Sequence, residues 1–149
     1  MCIRDRLYDD TVAWYENTGN GYTGHVITSS ANGAIAVYAE DIDSDGDMDV
    51  VGSAYNSDQV VWFENNGSES FTSHIVTTAA DGATSVYVED VDSDGDMDIL
   101  SASINDDEIA WYENDGSEDF TSRTITTGAN GANTVFAIDV DSDLSLIHI

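Results

Sequence analysis

A repeat with a period of 49 residues is the feature that most constrains what this chain can fold into. The acidic segment Asp-Ile-Asp-Ser-Asp-Gly-Asp-Met-Asp at 41–49 recurs at 90–98 with one Ile-to-Val difference, and a third copy begins at 139–143. A Trp-aromatic-Glu-Asn tetrapeptide recurs nearly in register at 14–17, 62–65 and 111–114. A fixed period of this length indicates that one structural unit stacks on similar units along the chain.

Each period is predicted to contain four short β-strands and no helix. In one period the segments 34–41, 49–55, 59–64 and 71–77 are rich in apolar and β-branched residues, and Gly, Asn, Asp and Ser separate them. Such separators favour turns, and no stretch has the 3.6-residue periodicity of a helix. The third strand is apolar at consecutive positions, so Val60 and Trp62 would face one side and Val61 and Phe63 the other. We therefore expect each sheet to be covered on both faces.

Stacked four-stranded sheets of this period are typical of a β-propeller. The predicted fold is all-β: a partial β-propeller of four-stranded antiparallel blades of about 49 residues, with the acidic loop between strands 1 and 2 of each blade. A two-sheet sandwich is the alternative, but it does not predict a strict repeat. We expect full blades at 34–82 and 83–131. The end of a truncated blade would occupy 7–33, and the start of another would occupy 132–143.

The two ends of the chain do not continue the repeat. The sequences Met-Cys-Ile-Arg-Asp-Arg at 1–6 and Leu-Ser-Leu-Ile-His-Ile at 144–149 correspond to opposite strands of one short DNA sequence, CTGTCTCTTATACACATC. That DNA resembles the transposon end used in sequencing-library preparation. We therefore expect 1–6 and 144–149 to be adapter-derived and the chain to be a fragment of a longer protein, and we exclude both ends from the fold prediction.

The chain is strongly acidic, with 30 Asp and Glu residues against 3 Lys and Arg residues and a formal net charge of −27. This charge argues against binding to nucleic-acid phosphates and to anionic membranes. No apolar run is long enough to span a membrane, so no membrane insertion is expected. A hydrophobic content of 41% is sufficient for a core, and a single Cys excludes an internal disulfide framework.

The repeated acidic loop is predicted to bind Ca²⁺. Its carboxylates stand at every second position, with Gly46 or Gly95 at the sixth. Because two carboxylates about 4 Å apart repel by roughly 4 kcal/mol, five of them in nine residues favour a bound cation. A set of oxygen donors without His or Cys favours Ca²⁺ over zinc or copper, and a flexible multidentate loop favours Ca²⁺ over Mg²⁺. A solvated acidic turn without metal is the alternative.

An EF-hand does not fit this loop. An EF-hand requires a bidentate Glu at position 12 and flanking helices, whereas this chain has Gly52 or Ser101 there, between predicted strands. We expect the Asp residues at loop positions 1, 3, 5 and 9 to bind the ion through side-chain oxygens, and the Asp at position 7 to bind it through its backbone carbonyl. The predicted metal ligands are Asp41, Asp43, Asp45, Asp47 and Asp49, then Asp90, Asp92, Asp94, Asp96 and Asp98, and in the incomplete third loop Asp139, Asp141 and Asp143.

The Asp-x-Asp-x-Asp-Gly-x-x-Asp loop between strands, at this period, resembles the FG-GAP and VCBS-type repeats of integrin α-like β-propellers. The resemblance covers nearly all of 7–143 and implies a ring of about seven blades with Ca²⁺ in the loop joining the first two strands of a blade. The Phe-Gly and Gly-Ala-Pro landmarks of the family are missing, which places the chain in the looser, bacterial secreted branch. The resemblance implies an extracellular or cell-surface protein that serves adhesion or ligand recognition, with a protein or polysaccharide ligand. A propeller belonging to a secreted enzyme, such as a polysaccharide lyase, and a purely structural spacer are the alternatives.

The sequence predicts no catalytic site, and we expect the segment not to be an enzyme. A ring normally carries one active site, so catalytic residues should break the repeat symmetry. His25, His74 and Arg123 instead share one position of the fourth strand, and we predict that they face solvent. Ser44 and Ser93 lie inside the metal loops without a nearby His to activate them. The repeated tryptophans are predicted to be core residues.

Overall fold

The computed structural model describes residues 2–6 and 9–138, which form three antiparallel sheets, one for each repeat. The first sheet has the order β1 (Cys2–Arg6), β2 (Thr11–Asn17), β3 (Tyr22–Thr28). The second has the order β4 (Ala34–Glu40), β5 (Asp49–Ala54), β6 (Gln59–Asn65), β7 (Phe71–Thr77). The third has the order β8 (Ala83–Glu89), β9 (Asp98–Ser103), β10 (Glu108–Asn114), β11 (Phe120–Thr126).

The predicted all-β fold of four-stranded antiparallel blades is confirmed. The four strands predicted for one period match β4 to β7 to within one residue at each end, and the acidic loop connects the first two strands of each complete sheet. The helical element of the described residues is a single 3₁₀ turn at Tyr55–Ser57. In this part of the chain no helix is long and apolar enough to cross a membrane.

The segment 2–6, predicted to be adapter-derived, forms β1 and occupies the place of a second blade strand. It pairs with β2 from Cys2 opposite Tyr15 to Arg6 opposite Thr11. Backbone pairing does not depend on the genetic origin of a segment, so the adapter origin of both ends stays a prediction.

The second sheet is buried on both faces, as its continuous apolar strand predicts. Val60 and Trp62 are fully buried in a cluster with side chains of β8, β9 and β10 of the third sheet. Val61 and Phe63 point the opposite way and pack in a cluster that contains Val12 of the first sheet. Alternate residues of one strand therefore join the sheet to both neighbours, and the tryptophan at its centre is a core residue.

The first strands of successive repeats also contact one another. The rings of Tyr38 and Tyr87 meet edge to face with centroids 5.1 Å apart, and Tyr87 meets Phe136 in the same way at 6.0 Å. Val135 and Ala137 are buried against the outer face of the third sheet. The stacking thus continues past β11 into 132–138, the predicted first strand of the next blade.

One aspartate in each repeat joins a blade to the linker that leads to the next blade. It lies in the turn before β2, β6 or β10, has a positive φ of 54° to 57°, and accepts a hydrogen bond at Oδ1 from the amide of a linker glycine at 2.8 to 3.0 Å. Aspartate tolerates this left-handed conformation better than most residues, because its short side chain bonds locally. The pairs are Asp10–Gly33, Asp58–Gly82 and Asp107–Gly131.

Replacing Asp58 tests this clamp. Asp58→Ala removes the acceptor for the Gly82 amide and places a Cβ without local hydrogen bonding at φ 57°, so we expect a loss of about 1–3 kcal/mol in the free energy of unfolding. Asp58→Asn keeps both the conformational tolerance and the acceptor oxygen, and it should retain most of the stability. Urea unfolding of the two variants makes the comparison, and equal losses would contradict the clamp.

Candidate metal centre

The backbone of each acidic loop folds back on its own carboxylates. Gly46 and Gly95 have φ of +98° and +103°, which confirms the predicted sharp turn at the sixth position. In the first loop Asp43 Oδ1 accepts the Asp45 amide at 3.1 Å, and Asp45 Oδ1 accepts the Asp47 amide at 2.8 Å. These local bonds bring the carboxylates to the inside of the turn.

Three carboxylates converge in each complete loop. One oxygen from each member lies within 4.8 Å of those of the other two. Both groups contain the Asp residues at loop positions 1 and 3. The remaining member is the Asp at position 5 in the first loop and the Asp at position 9 in the second. The groups are Asp41, Asp43 and Asp45, and Asp90, Asp92 and Asp98. Asp49 and Asp94 are predicted ligands that lie outside these close groups, while Asp139, Asp141 and Asp143 fall outside the described residues.

The aspartate at position 9 of the loop is buried and accepts hydrogen bonds from three donors. Asp49 has no exposed surface. Its Oδ1 accepts the Asn65 amide at 2.7 Å, and its Oδ2 accepts Trp62 Nε1 at 3.0 Å and the Ile42 amide at 3.2 Å. Each carboxylate oxygen has two acceptor sites, so Oδ1 keeps one for a cation. The orientation of this ligand is therefore set before any ion binds.

Burial raises the pKa of three of the carboxyls that converge in the loops, those of Asp43, Asp92 and Asp98. The pKa of Asp98 is raised to about 6, because burial outweighs the hydrogen bonds from the Asn114 and Val91 amides. The pKa values of Asp43 and Asp92 are raised by the same cause, and neighbouring carboxylates contribute to both shifts. The ionised loop is electrostatically unfavourable without a counter-charge.

The aspartate at position 7 of each loop lies against a glycine of a neighbouring turn. A Cβ built on Gly67 would overlap Asp47 Oδ2, and one built on Gly116 would lie 2.7 Å from Asp96 Oδ2. The side chains of Asp47 and Asp96 thus lie against these glycines, which belong to the turns between the third and fourth strands. That Asp47 and Asp96 bind a cation through their backbone carbonyls stays a prediction.

The chemistry of the loop fits a hard divalent cation. Asp41 Oδ1 is a buried carboxylate oxygen without a hydrogen-bond partner among the described residues. An unpaired buried acceptor of this kind is costly unless a cation or water satisfies it. Both converging groups consist of carboxylates alone, the donor type that Ca²⁺ prefers. The residues present are therefore suited to Ca²⁺.

Stacked four-stranded blades with an acidic loop between their first two strands define a propeller-like repeat protein. The sequence model of the FG-GAP-like repeat matches the chain at 2–52, 41–101 and 90–146. These matches span nearly all of the chain, so it belongs to the FG-GAP-like repeat family, and the predicted resemblance is confirmed. A comparison with curated proteins gives no significant match.

The shared fourth-strand position carries a repeated side-chain cluster that the sequence analysis did not foresee. In each sheet its residue lies opposite the repeated Trp, contacts the indole ring and pairs with the Glu two residues after that Trp. The ring centroids of the two His–Trp stacks lie 4.1 and 4.6 Å apart, and the Arg lies 5.4 Å from its indole centroid. The clusters are Trp14–His25–Glu16, Trp62–His74–Glu64 and Trp111–Arg123–Glu113.

These contacts refine the predicted solvent-facing position. The side chains of His25, His74 and Arg123 are 35%, 38% and 51% exposed, so each presents one side to solvent and the other to an indole. The signal in the sequence is the recurrence of Trp, of Glu two residues later, and of a basic residue 11 or 12 residues after the Trp. The register that places the base opposite the Trp was needed to interpret it.

Without metal, the protein should be less stable at pH 7 than at pH 5. Because the pKa of Asp98 is about 6 in the folded state against an ordinary 3.8, the folded state holds more protons between these values, and the free energy of unfolding falls as pH rises. The whole shift corresponds to about 3 kcal/mol, of which about 1 kcal/mol is expected between pH 5 and pH 7. Urea unfolding of resin-treated, metal-free protein at both pH values measures the difference.

Saturating Ca²⁺ should remove this pH dependence, because the metal keeps the carboxylates ionised in the folded state. The Ca²⁺-induced gain in stability should therefore be larger at pH 7 than at pH 5. Equal stability of the metal-free protein at the two pH values would contradict the assigned Asp98 pKa.

Proposed function

We propose that the chain is a calcium-binding segment of a propeller-like repeat protein, in which each complete loop binds one Ca²⁺ that rigidifies its blade. The observation that supports this most strongly is the convergence of three carboxylates in both loops, together with the unpartnered buried Asp41 Oδ1. The side-chain ligands are Asp41, Asp43, Asp45 and Asp49, and Asp90, Asp92, Asp94 and Asp98; the backbone carbonyls of Asp47 and Asp96 complete the sets.

Calcium stabilises the blades by removing the repulsion within each loop. An ion that binds the folded chain and not the unfolded chain adds to the free energy of unfolding, and the gain grows with the logarithm of its concentration once that exceeds the dissociation constant. Calcium sites in extracellular modules have dissociation constants of about 10⁻⁴ to 10⁻³ M. Sites of that strength fill in calcium-rich surroundings, so we place the parent protein outside the cell or on its surface.

The parent protein serves adhesion, ligand recognition or scaffolding, with a protein or polysaccharide as ligand, and this segment is not catalytic. The structural clusters support the last point. The basic side chains at the shared fourth-strand position are engaged with Trp and Glu. Ser44 and Ser93 lie within the metal loops at φ of 60° and 64°.

Removal of Ca²⁺ tests the proposed metal function. Chelation at pH 7 should lower the melting temperature by several degrees, and added Ca²⁺ should restore it in a concentration-dependent way. Mg²⁺ at the same concentration should restore less, because its small octahedral shell suits this loop poorly. Scanning calorimetry provides the measurement.

Substitutions in the loops provide the control. Asp43→Asn should abolish one calorimetric binding event and Asp92→Asn another. Asp81→Asn removes an equal charge from an exposed position of the linker between the two complete blades and should abolish neither. A melting temperature that does not respond to Ca²⁺ would refute the proposed function.

A further inference from the structure

Each metal loop is covered by the hairpin turn that connects the third and fourth strands of the same sheet. We call these turns, residues 65–70 and 114–119, the closing hairpins. The strands alternate in direction, so the loop after β4 and the hairpin after β6 lie at the same end of the sheet. Their contacts are specific, and they recur in both complete blades.

The first contact is made by the asparagine at the start of each closing hairpin. The Asn65 amide donates to Asp49 Oδ1 at 2.7 Å, and Asn65 Nδ2 donates to the Met48 carbonyl at 3.2 Å. In the next blade the Asn114 amide donates to Asp98 Oδ1 at 2.8 Å, and its Nδ2 donates to the Met97 carbonyl at 3.2 Å. One asparagine thus holds both the side chain of the Asp at loop position 9 and the backbone carbonyl of the Met before it.

The second contact is made by the glycine two residues later. Gly67 and Gly116 have φ of +74° and +78°, and a Cβ on either would overlap the carboxylate of Asp47 or Asp96. Gly19 holds the same turn position in the first repeat, with φ +80°, but a Cβ there would meet nothing within 4 Å. All three glycines therefore serve the turn, whereas two of them also make room for the metal loop.

We propose that the closing hairpins are part of the cation sites, and that Asn65, Gly67, Asn114 and Gly116 are positioning residues that set the affinity of each loop for Ca²⁺. The inference rests on the proposed function. The hairpin holds the Asp at loop position 9 and the backbone around positions 7 and 8, so it orders the oxygen donors before the ion binds. Residues that orient metal ligands in this way strengthen metal binding. A methyl group on Gly67 displaces Asp47, whose carbonyl is a ligand.

Three alanine variants of the full chain test the glycine contact. Calcium affinity is measured by titration calorimetry, with Asp92→Asn in the background to isolate loop 41–49 and Asp43→Asn to isolate loop 90–98. Gly67→Ala should weaken binding to loop 41–49 by about 10- to 100-fold and leave loop 90–98 unchanged. Gly116→Ala should do the converse. Gly19→Ala introduces the same backbone strain without the overlap, and it should change neither affinity.

A second pair of variants separates positioning from general damage to the fold. Asp47→Ala keeps the backbone carbonyl but removes the carboxylate that the methyl group would overlap. The loss of affinity caused by Gly67→Ala should therefore largely disappear in an Asp47→Ala background. Asn65→Ala, which imposes no backbone strain, should weaken loop 41–49 selectively, because the bond to the Met48 carbonyl is lost.

The outcomes distinguish the two proposals. If the unsubstituted chain binds no Ca²⁺, the proposed function fails and this inference fails with it. If the chain binds Ca²⁺ but Gly67→Ala leaves the affinity of loop 41–49 unchanged, the inference alone is overturned. The same holds if Gly67→Ala lowers the Ca²⁺ affinity of both loops, or if Gly19→Ala lowers the affinity of loop 41–49 by as much as Gly67→Ala does.

Discussion

Burial of both faces of the second and third sheets is the constraint on which the rest of the structure depends. A strand with Val60 and Trp62 on one side and Val61 and Phe63 on the other cannot satisfy its apolar surface within a single sheet. A blade with two neighbours therefore derives much of its stability from them, as expected of repeat proteins. Both complete acidic loops join the first and second strands of their sheets, so they lie at the same position of their blades.

The acidic loops oppose this stability. Asp49 and Asp98 are fully buried, and hydrogen bonds hold them without neutralising their charge. Trp62 connects the two requirements, because its ring fills the space between blades while its Nε1 donates to Asp49. The core and the acidic loop thus meet in one side chain, which couples the order of the loop to the stacking beneath it.

The period, the four strands and the sharp turn of the loop could be predicted from sequence because all three are local properties. Contacts between residues 12 to 24 positions apart could not be predicted. The Asp58–Gly82 clamp, the Trp62–His74 stack and the fit of Gly67 against Asp47 each depend on strand register and turn geometry that no single segment encodes. Which three carboxylates converge is equally a matter of tertiary geometry, and it differs between two loops of nearly identical sequence.

The clamp between the turn aspartate and the linker glycine has a consequence for how such a chain grows. Each clamp aspartate lies four residues before the Trp of its repeat. It accepts the amide of a glycine in the linker to the next blade, so the same pair of groups recurs at every junction between described blades. Duplication of one 49-residue unit within the gene would therefore create a blade that already fits both neighbours. The number of blades can change by whole units during evolution without a new interface having to arise.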